Sequence, residues 1–325
     1  MLEATPEHLA MLGRAEPRPN PFFAPNYVAA TAGLGLEPRV LALQDNDGGL
    51  TGAVAYLRSG RLSRSMLLEP SPSPAPDSPF WAALPRLCAR ERVGRLAVSA
   101  FCARGREVPP LPGETRRAPS DEFELDLRTD PAERMSRGHR KQVRSAGARG
   151  LEVESDGSIA AVRNHFAMAA LSRERRRQRG EQPSEPLAES VALALLSTGA
   201  GRLFLARLDG EVVASALLVV GAGGAYYLSA GASPAGLKIA APYFLWARVA
   251  DILRAEGVVS LNLGGVPPAA DGLRHFKTGF GAEPFRCHYV QAMTGGPLLR
   301  RGLLLSDWWQ RRRARPRPWA SGDAA

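Results

Sequence analysis

LNLGGVPPAADGLRHFKTGFGAEP, residues 261–284, leaves a strand on a glycine pair and crosses a proline turn. It then enters a short helix that closes on Gly279-Phe280-Gly281. Its one lysine stands out. The chain carries 42 Lys plus Arg, and only Lys141, Lys238 and Lys277 are lysine. A compact ammonium reaches a single oxygen, whereas the planar guanidinium fork reaches two. Lys277, beside Phe276 and ahead of a glycine turn, is therefore a candidate for a point charge aimed at one developing oxyanion. The alternative is a surface lysine closing a short helix on its dipole.

Working outward from this stretch, RLFLARLDGEVVASALLVVGAGGAYYLSAG (202–231) predicts three antiparallel strands. Asp209-Gly210 marks the first turn, and the glycine-rich run 221–224 marks the second. A helix over 239–255 and a strand over 258–265 follow, then a helix over 270–277 and a last strand over 285–293. Before them EFELDL (122–127) alternates as a half-buried strand. Pro131 opens a helix to about Gly147, LEVES (151–155) is a strand, and helices span 158–177 and 187–198. The first part gives a helix (5–13), strands at 38–45, 50–58 and 61–68, a helix at 80–92 and a strand at 95–101. EPSPSPAPDSP (69–79) and EVPPLPGETRRAPS (107–120) read as linkers, the second as the domain boundary. The order is mixed α/β without strict βαβ alternation, and the first part looks like a shorter version of the second.

Composition limits the chemistry. Three cysteines, Cys88, Cys102 and Cys287, are too few and odd for a disulfide scaffold, and no CxxC or Cys/His cluster suggests zinc. No metal is expected. GxSxG, Walker and HExxH motifs are absent from the sequence. The N-terminal segment has no basic region before its apolar residues, and the longest apolar stretch, Val212–Ala222, is too short to span a bilayer. A cytoplasmic location is the expectation. The net charge of +10 and pI near 10.2 favour polyanionic partners.

The stretches NPFFAPNYVAA (20–30), SRGHRKQVRSAGARGLEVE (136–154), LARLDGEVVASALLVVGAGGAYYLSAGASP (205–234) and 261–284 together resemble the GNAT acyltransferases. The likeness is to their Fem-type branch, the FemAB and CelD-like proteins that transfer acyl or aminoacyl groups to amines, often on cell-envelope (peptidoglycan) precursors. The resemblance implies two tandem GNAT-like subdomains, the second complete. These are a degenerate one at 1–119, the acyltransferase domain at 120–295, and a basic tail at 296–325. It implies an N-acyltransferase acting on an amine of an envelope-related or phosphate-bearing, lipid-linked acceptor. It places Phe276 and Lys277 in catalysis, with Phe276 drying the site. The usual pyrophosphate loop is replaced by SPAGLKIAAP (233–242), which lacks the glycine spacing. The donor therefore stays open between acyl-CoA and aminoacyl-tRNA, and tRNA is a further partner.

Other residues can be assigned roles. Arg137, Lys141 and Arg144 share one helical face with Arg134, and Arg140 lies beside them. They form a phosphate-binding stripe or a solvated face. RERRRQRGEQP (173–183) reads as a solvated loop joining two helices, or as the rim of an anionic site. Tyr227 and Ser229 share a strand face, the one taken to bind the donor carbonyl by the GNAT resemblance. Asn262, Gly264 and Gly265 end a strand where a ligand can approach the backbone. His275 is a possible proton carrier by position, while His139, His165 and His288 have no matched partners in the sequence. The tail from 297 to 317 mixes Leu, Trp and Arg, which suits either a packing helix or peripheral contact with an anionic membrane at its inner face. A competing reading is a catalytically inactive GNAT-like scaffold that binds RNA or anionic membrane through its basic faces.

Overall fold

Two hairpin meanders, each followed by a helix and a strand parallel to the meander's last strand, organise the chain. The computed structural model describes residues 2–15, 19–44, 50–68, 74–99, 107–181, 185–267 and 270–312. They fall into two compact units. One takes the described residues up to Ser120 and those from Arg286 onward, and the other takes Asp121–Phe285.

The first unit holds β1 (Leu2–Glu3), α1 (Pro6–Ala15), a 3-10 turn (Pro21–Phe23), α2 (Pro25–Ala32), β2 (Glu37–Gln44), β3 (Leu50–Arg58), β4 (Arg64–Leu68), α3 (Pro79–Arg90) and β5 (Val93–Ser99). Strands β2, β3 and β4 form an antiparallel meander, and β5 lies parallel to β4. That parallel pair runs to the end of β4, where Leu68 faces Val98. The core gathers Leu57, Met66, Leu68, Leu84 and Val98 under α3.

The chain continues through β6 (Glu114–Asp126), α4 (Pro131–Arg134), α5 (Arg137–Gly147), β7 (Glu152–Ser155), α6 (Ile159–Gln178), α7 (Glu189–Ser197), β8 (Gly201–Leu208), β9 (Glu211–Gly221), β10 (Gly224–Ala232), α8 (Pro234–Lys238), α9 (Ala241–Ala255), β11 (Ser260–Val266), α10 (Asp271–Gly279), β12 (Glu283–Met293) and α11 (Pro297–Arg312). In the second unit β8, β9 and β10 repeat the antiparallel meander, with β11 parallel to β10 and β6 antiparallel to β11. The same order thus occurs twice.

Period-2 alternation splits the second unit's core between two faces of its sheet. Phe204, Ala216 and Leu218 pack with Leu245 and Val249 of α9 on one face. Leu203, Leu205 and Leu217 pack with Ala161 and Val162 of α6 on the other.

Three expectations change. Residues 107–120 are not all linker, because β6 begins at Glu114. The helix expected from Pro131 breaks at Met135, since Ser136 leaves helical geometry to cap α5 through its hydroxyl. The helix expected over 239–255 is α9, starting at Ala241, and an unexpected short helix, α8, precedes it with Ala240 at φ 58° between them. Cys102 lies outside the described residues, and Cys88 and Cys287 are buried. Among the described residues no helix is long and apolar enough to cross a membrane.

Helix α6 lies close on β10 because Gly231 has no side chain. A Cβ there would come within 2.3 Å of the Met168 carbonyl carbon. Gly231→Ala is expected to push α6 outward and cost about 1–3 kcal/mol, as overpacking does. The check is a lower urea midpoint at unchanged slope.

Candidate active site

Pairing between β10 and β11 lasts only three positions, from Gly224↔Ser260 to Tyr226↔Asn262. Beyond it the strands part, and a cavity of about 170 Å³ sits at the opening. Its wall takes Tyr227 and Ala230 from β10, Leu263 from β11, Trp246 from α9, and Phe276 and Lys277 from α10. Ser172 and Arg175 of α6 complete it.

The cause of the parting is a backbone irregularity. On β11 the register against β6 slips between Asn262 and Gly265. Gly264 stands at φ +75°, a conformation that side chains disfavour, and a Cβ there would also press to 3.0 Å from the Tyr227 ring. The Asn262 carboxamide fixes the turn. Its oxygen accepts from the Gly264 N–H at 2.7 Å, and its nitrogen donates to Glu122 at 2.6 Å. The Tyr226 hydroxyl donates to the other Glu122 oxygen at 3.0 Å. Both the Gly264 and Gly265 carbonyls then accept from Lys277 Nζ, each at 2.8 Å.

Lys277 is only 3% exposed. Burial lowers its pKa to about 7; the Glu122 charge opposes this shift, and the Arg176 charge adds to it. A fall from 10.5 to about 7 weighs against the ammonium by roughly 5 kcal/mol at about 1.4 kcal/mol per unit. Lys277 is therefore not the permanent cation that its residue type suggests. A neutral amine has two N–H bonds, which the two carbonyls occupy. Its lone pair is left over.

The helix carrying this lysine is locked from behind. His139 of α5 is buried, and its Nε2 lies 3.0 Å from the Phe276 carbonyl oxygen, which can only accept. The ring proton is thus on Nε2, and Nδ1 accepts from the Ser136 hydroxyl at 3.0 Å. Burial keeps this imidazole below its usual pKa. The Ser136 amide also donates to the Gly279 carbonyl at 2.8 Å. Leu273, Phe276 and Lys277 share the spacing i, i+3, i+4 and present one face of α10 to the cavity.

Several expected site residues lie elsewhere. Tyr227 lines the cavity, but Ser229 does not share its face. A bulge between Tyr227 and Ser229 shifts the alternation, and the Ser229 hydroxyl meets His165 Nε2 at 2.5 Å. Asn262, Gly264 and Gly265 hold Lys277 rather than line the cavity. Arg137, Arg140, Lys141 and Arg144 are exposed on the solvent face of α5, away from the cavity wall. His139 turns inward from the same helix and is what the fold needs from it. His275 is exposed and outside the cavity wall.

Other residues carry more than their sequence context indicated. His139 and His165 both have partners. His165 bridges Ser229 and Ser215, the latter at 2.9 Å, and burial takes its pKa down to about 4. The Arg173–Arg179 run is helical to Gln178 rather than a loop. Ser172 and Arg175 are three apart and so turn to the same side, a helical spacing that the density of arginines masked. Glu122 is fully buried. It lies one residue outside the alternating apolar set of its strand, where pattern gives no sign of burial. No group of metal-ligating side chains occurs among the described residues.

Residues 133–286 match the acetyltransferase (GNAT) domain family, so this part of the chain is a GNAT acyltransferase domain. No curated protein matches the chain significantly. Among solved structures, FemX superposes with a TM-score of 0.64 at 14% identity, covering 87% of this chain and 94% of that one. The C-terminal domain of a protein assigned as a lysylphosphatidylglycerol synthetase from Agrobacterium fabrum gives 0.52 at 16%, covering 94% and 96%. A tandem GNAT protein from the clavulanic acid biosynthesis pathway gives 0.51 at 14%, covering 91% and 98%. At these identities the likeness is one of fold, and it fits a GNAT-like architecture.

The lysine has a titration signature. Its folded pKa of about 7 lies below the unfolded value of 10.5, so between the two the unfolded chain binds a proton that the folded chain does not. Wild-type stability therefore rises with pH across that window. Measured against Lys277→Met by urea unfolding, the wild-type advantage should be flat below pH 7 and grow from there toward pH 10.

Proposed function

We propose that this chain is a Fem-type N-acyltransferase in which Lys277 serves the transfer step. The observation that carries the reading is the Lys277 amine itself, buried in a cavity wall and gripped by two carbonyls. The GNAT domain implies an acyl-CoA-type donor. The fit of this chain to one is uneven. The opening between β10 and β11 has room for an acyl group. The stretch 233–242 offers no glycine loop for a pyrophosphate, because Gly236 packs on the Val213 carbonyl, 2.2 Å from where a Cβ would lie. The Fem-type resemblance of the sequence keeps aminoacyl-tRNA as the other donor class. It also supports a phosphate-bearing or lipid-linked acceptor from the cell envelope.

The chemistry follows from the residues. The acceptor arrives as an ammonium and must lose a proton before it attacks. The neutral Lys277 amine takes that proton on its free lone pair. The new ammonium keeps its two carbonyl partners and turns its third N–H to the cavity, where the acyl oxygen becomes negative. As the C–N bond forms and the bond from the acyl carbon to the leaving group breaks, the proton returns from Lys277 to the leaving group, and the second proton shed by the attacking nitrogen passes to solvent. Phe276 and Trp246 exclude water, which strengthens each of these interactions.

Peripheral contact with an anionic membrane from the cytoplasmic side belongs to the same proposal. Leu298 and Leu305, seven residues apart on α11, are 84% and 62% exposed. That spacing puts them on one side of a helix rich in arginine.

Lys277→Ala should keep the wild-type circular dichroism spectrum and a cooperative melt, at a lower temperature because two buried carbonyls lose their donor, while transfer to an amine acceptor falls about 100- to 1,000-fold, the range for loss of one oxyanion donor. Lys277→Arg should be equally inactive, because a guanidinium stays charged at any working pH and cannot act as a base. Wild-type kcat/KM should rise through an apparent pKa near 7. Full turnover by Lys277→Ala in a stopped acyl-transfer assay would remove the lysine from the mechanism.

A further inference from the structure

Arg175 is the one feature of the cavity that acyl transfer to an amine does not itself require. It projects from the end of α6 into the wall, partly buried. Its Nη2 donates to the Ser172 hydroxyl at 2.8 Å and to the Ala232 carbonyl at 3.2 Å, which fixes the guanidinium plane. Ser172 is fixed in turn, since its hydroxyl accepts from the Ala232 amide at 3.3 Å. No carboxylate among the described residues pairs with Arg175, although the neighbouring Arg176 pairs with Glu181 at 2.7 Å. Arg176 Nη2 is itself buried and without a hydrogen-bond partner. Burial and the nearby Arg179 charge hold Arg175 below its usual pKa. The wall thus carries a rigidly held, partly desolvated cation. Both Nη2 hydrogens are taken by Ser172 and Ala232, so the Nε–H and Nη1 hydrogens remain to bond a small anion such as a carboxylate.

Size narrows the anion further. About 170 Å³ is well below the roughly 300–1,000 Å³ of sites that take drug-sized ligands. That volume suits an amino-acid-sized group, with the rest of any larger ligand lying outside the cavity. The rest of the lining is mainly apolar, with Leu245, Trp246, Leu263 and Phe276. The wall therefore carries both a guanidinium for an acid group and the Lys277 amine.

We propose that Arg175 forms a carboxylate subsite, and that the group seated in this cavity is a small amine acceptor bearing an acid, an amino acid or the amino-acid end of a larger molecule. This rests on the acyltransferase reading for the word acceptor, but the subsite itself is a binding claim that needs no turnover. The carboxylate accepts from the remaining Arg175 N–H groups while the amine meets Lys277. Arg175 then acts on affinity and orientation, and Lys277 acts on the chemical step.

The test uses the full chain with acetate as the probe carboxylate and inorganic phosphate as the competing anion, both at constant ionic strength. The readout is the indole N–H resonance of Trp246 in the cavity wall, assigned with Trp246→Phe. Acetate should shift this resonance saturably, and phosphate should not. Arg175→Gln should weaken acetate about ten- to hundredfold, the worth of a charge-assisted hydrogen-bonded pair. Arg175→Lys, which keeps the charge but not the bonds that fix it on Ser172 and Ala232, should weaken it less, and Arg248→Gln on the exposed face of α9 should change nothing. Equal acetate binding by Arg175→Gln would overturn the subsite. So would saturation by phosphate in place of acetate. Were Arg175→Gln to misfold, the wild-type titration decides, because absence of a saturable acetate shift overturns the proposal unaided. Loss of transfer in Lys277→Ala bears only on the catalytic reading, so the two can fail separately.

Discussion

Two consecutive carbonyl oxygens bonding the same nitrogen is the constraint on which the site depends. In a regular strand successive carbonyls point to opposite sides. For Gly264 and Gly265 both to reach Lys277 Nζ, the backbone must turn over between them, and the positive φ of Gly264 does this. The same turn ends the pairing of β11 with β10. One backbone defect therefore opens the cavity and holds the lysine at its wall. Asn262 and Glu122 are the cost of keeping that defect in place. They are buried polar groups whose bonds are satisfied by each other, by Tyr226 and by the Gly264 amide. A satisfied buried network of this kind specifies one geometry.

The first unit serves as an internal comparison. It has the meander, the helix and the parallel strand in the same order, yet β4 and β5 stay paired to the end of β4. Leu68 and Val98 are buried at that end, where the second unit has its opening. The architecture alone does not make a site. What differs is the Gly-Gly irregularity and a helix behind it that can deliver an amine.

Much of this was legible because it rests on local chemistry. Asp209-Gly210 fixes a hairpin, and a lysine among arginines flags a point charge. The short helix over Lys277 follows from its flanking glycines. What the sequence concealed lies where period-2 or period-3.6 counting breaks. The bulge at Leu228 sends Tyr227 and Ser229 to opposite faces, so a strict alternation assigns Ser229 to the wrong one. Glu122 is buried by a register slip on a neighbouring strand, not by anything in its own neighbourhood. His165 acquires Ser215 and Ser229 from strands 50 and 64 residues away. The arginine run at the end of α6 hid a helical face, because five arginines in seven residues suggest solvent throughout. Yet Arg175 turns inward while Arg177 and Arg179 stay exposed.

The charges around the cavity also explain why its lysine is tuned rather than merely buried. Glu122 favours the Lys277 ammonium, and Arg176 disfavours it. In the free protein desolvation and Arg176 together outweigh Glu122, so the amine is neutral for a large fraction of the time near pH 7. An anion seated on Arg175 would add negative charge to the same low-dielectric space, where interactions are weakly screened. That shift favours the lysine taking up a proton once the ligand is in place. A ligand carrying an acid at one end and an ammonium at the other would thus bring both the proton and the field that helps Lys277 accept it. A ligand with the amine alone would supply the proton against an unrelieved positive wall. On this argument the geometry selects by charge pattern before it selects by shape.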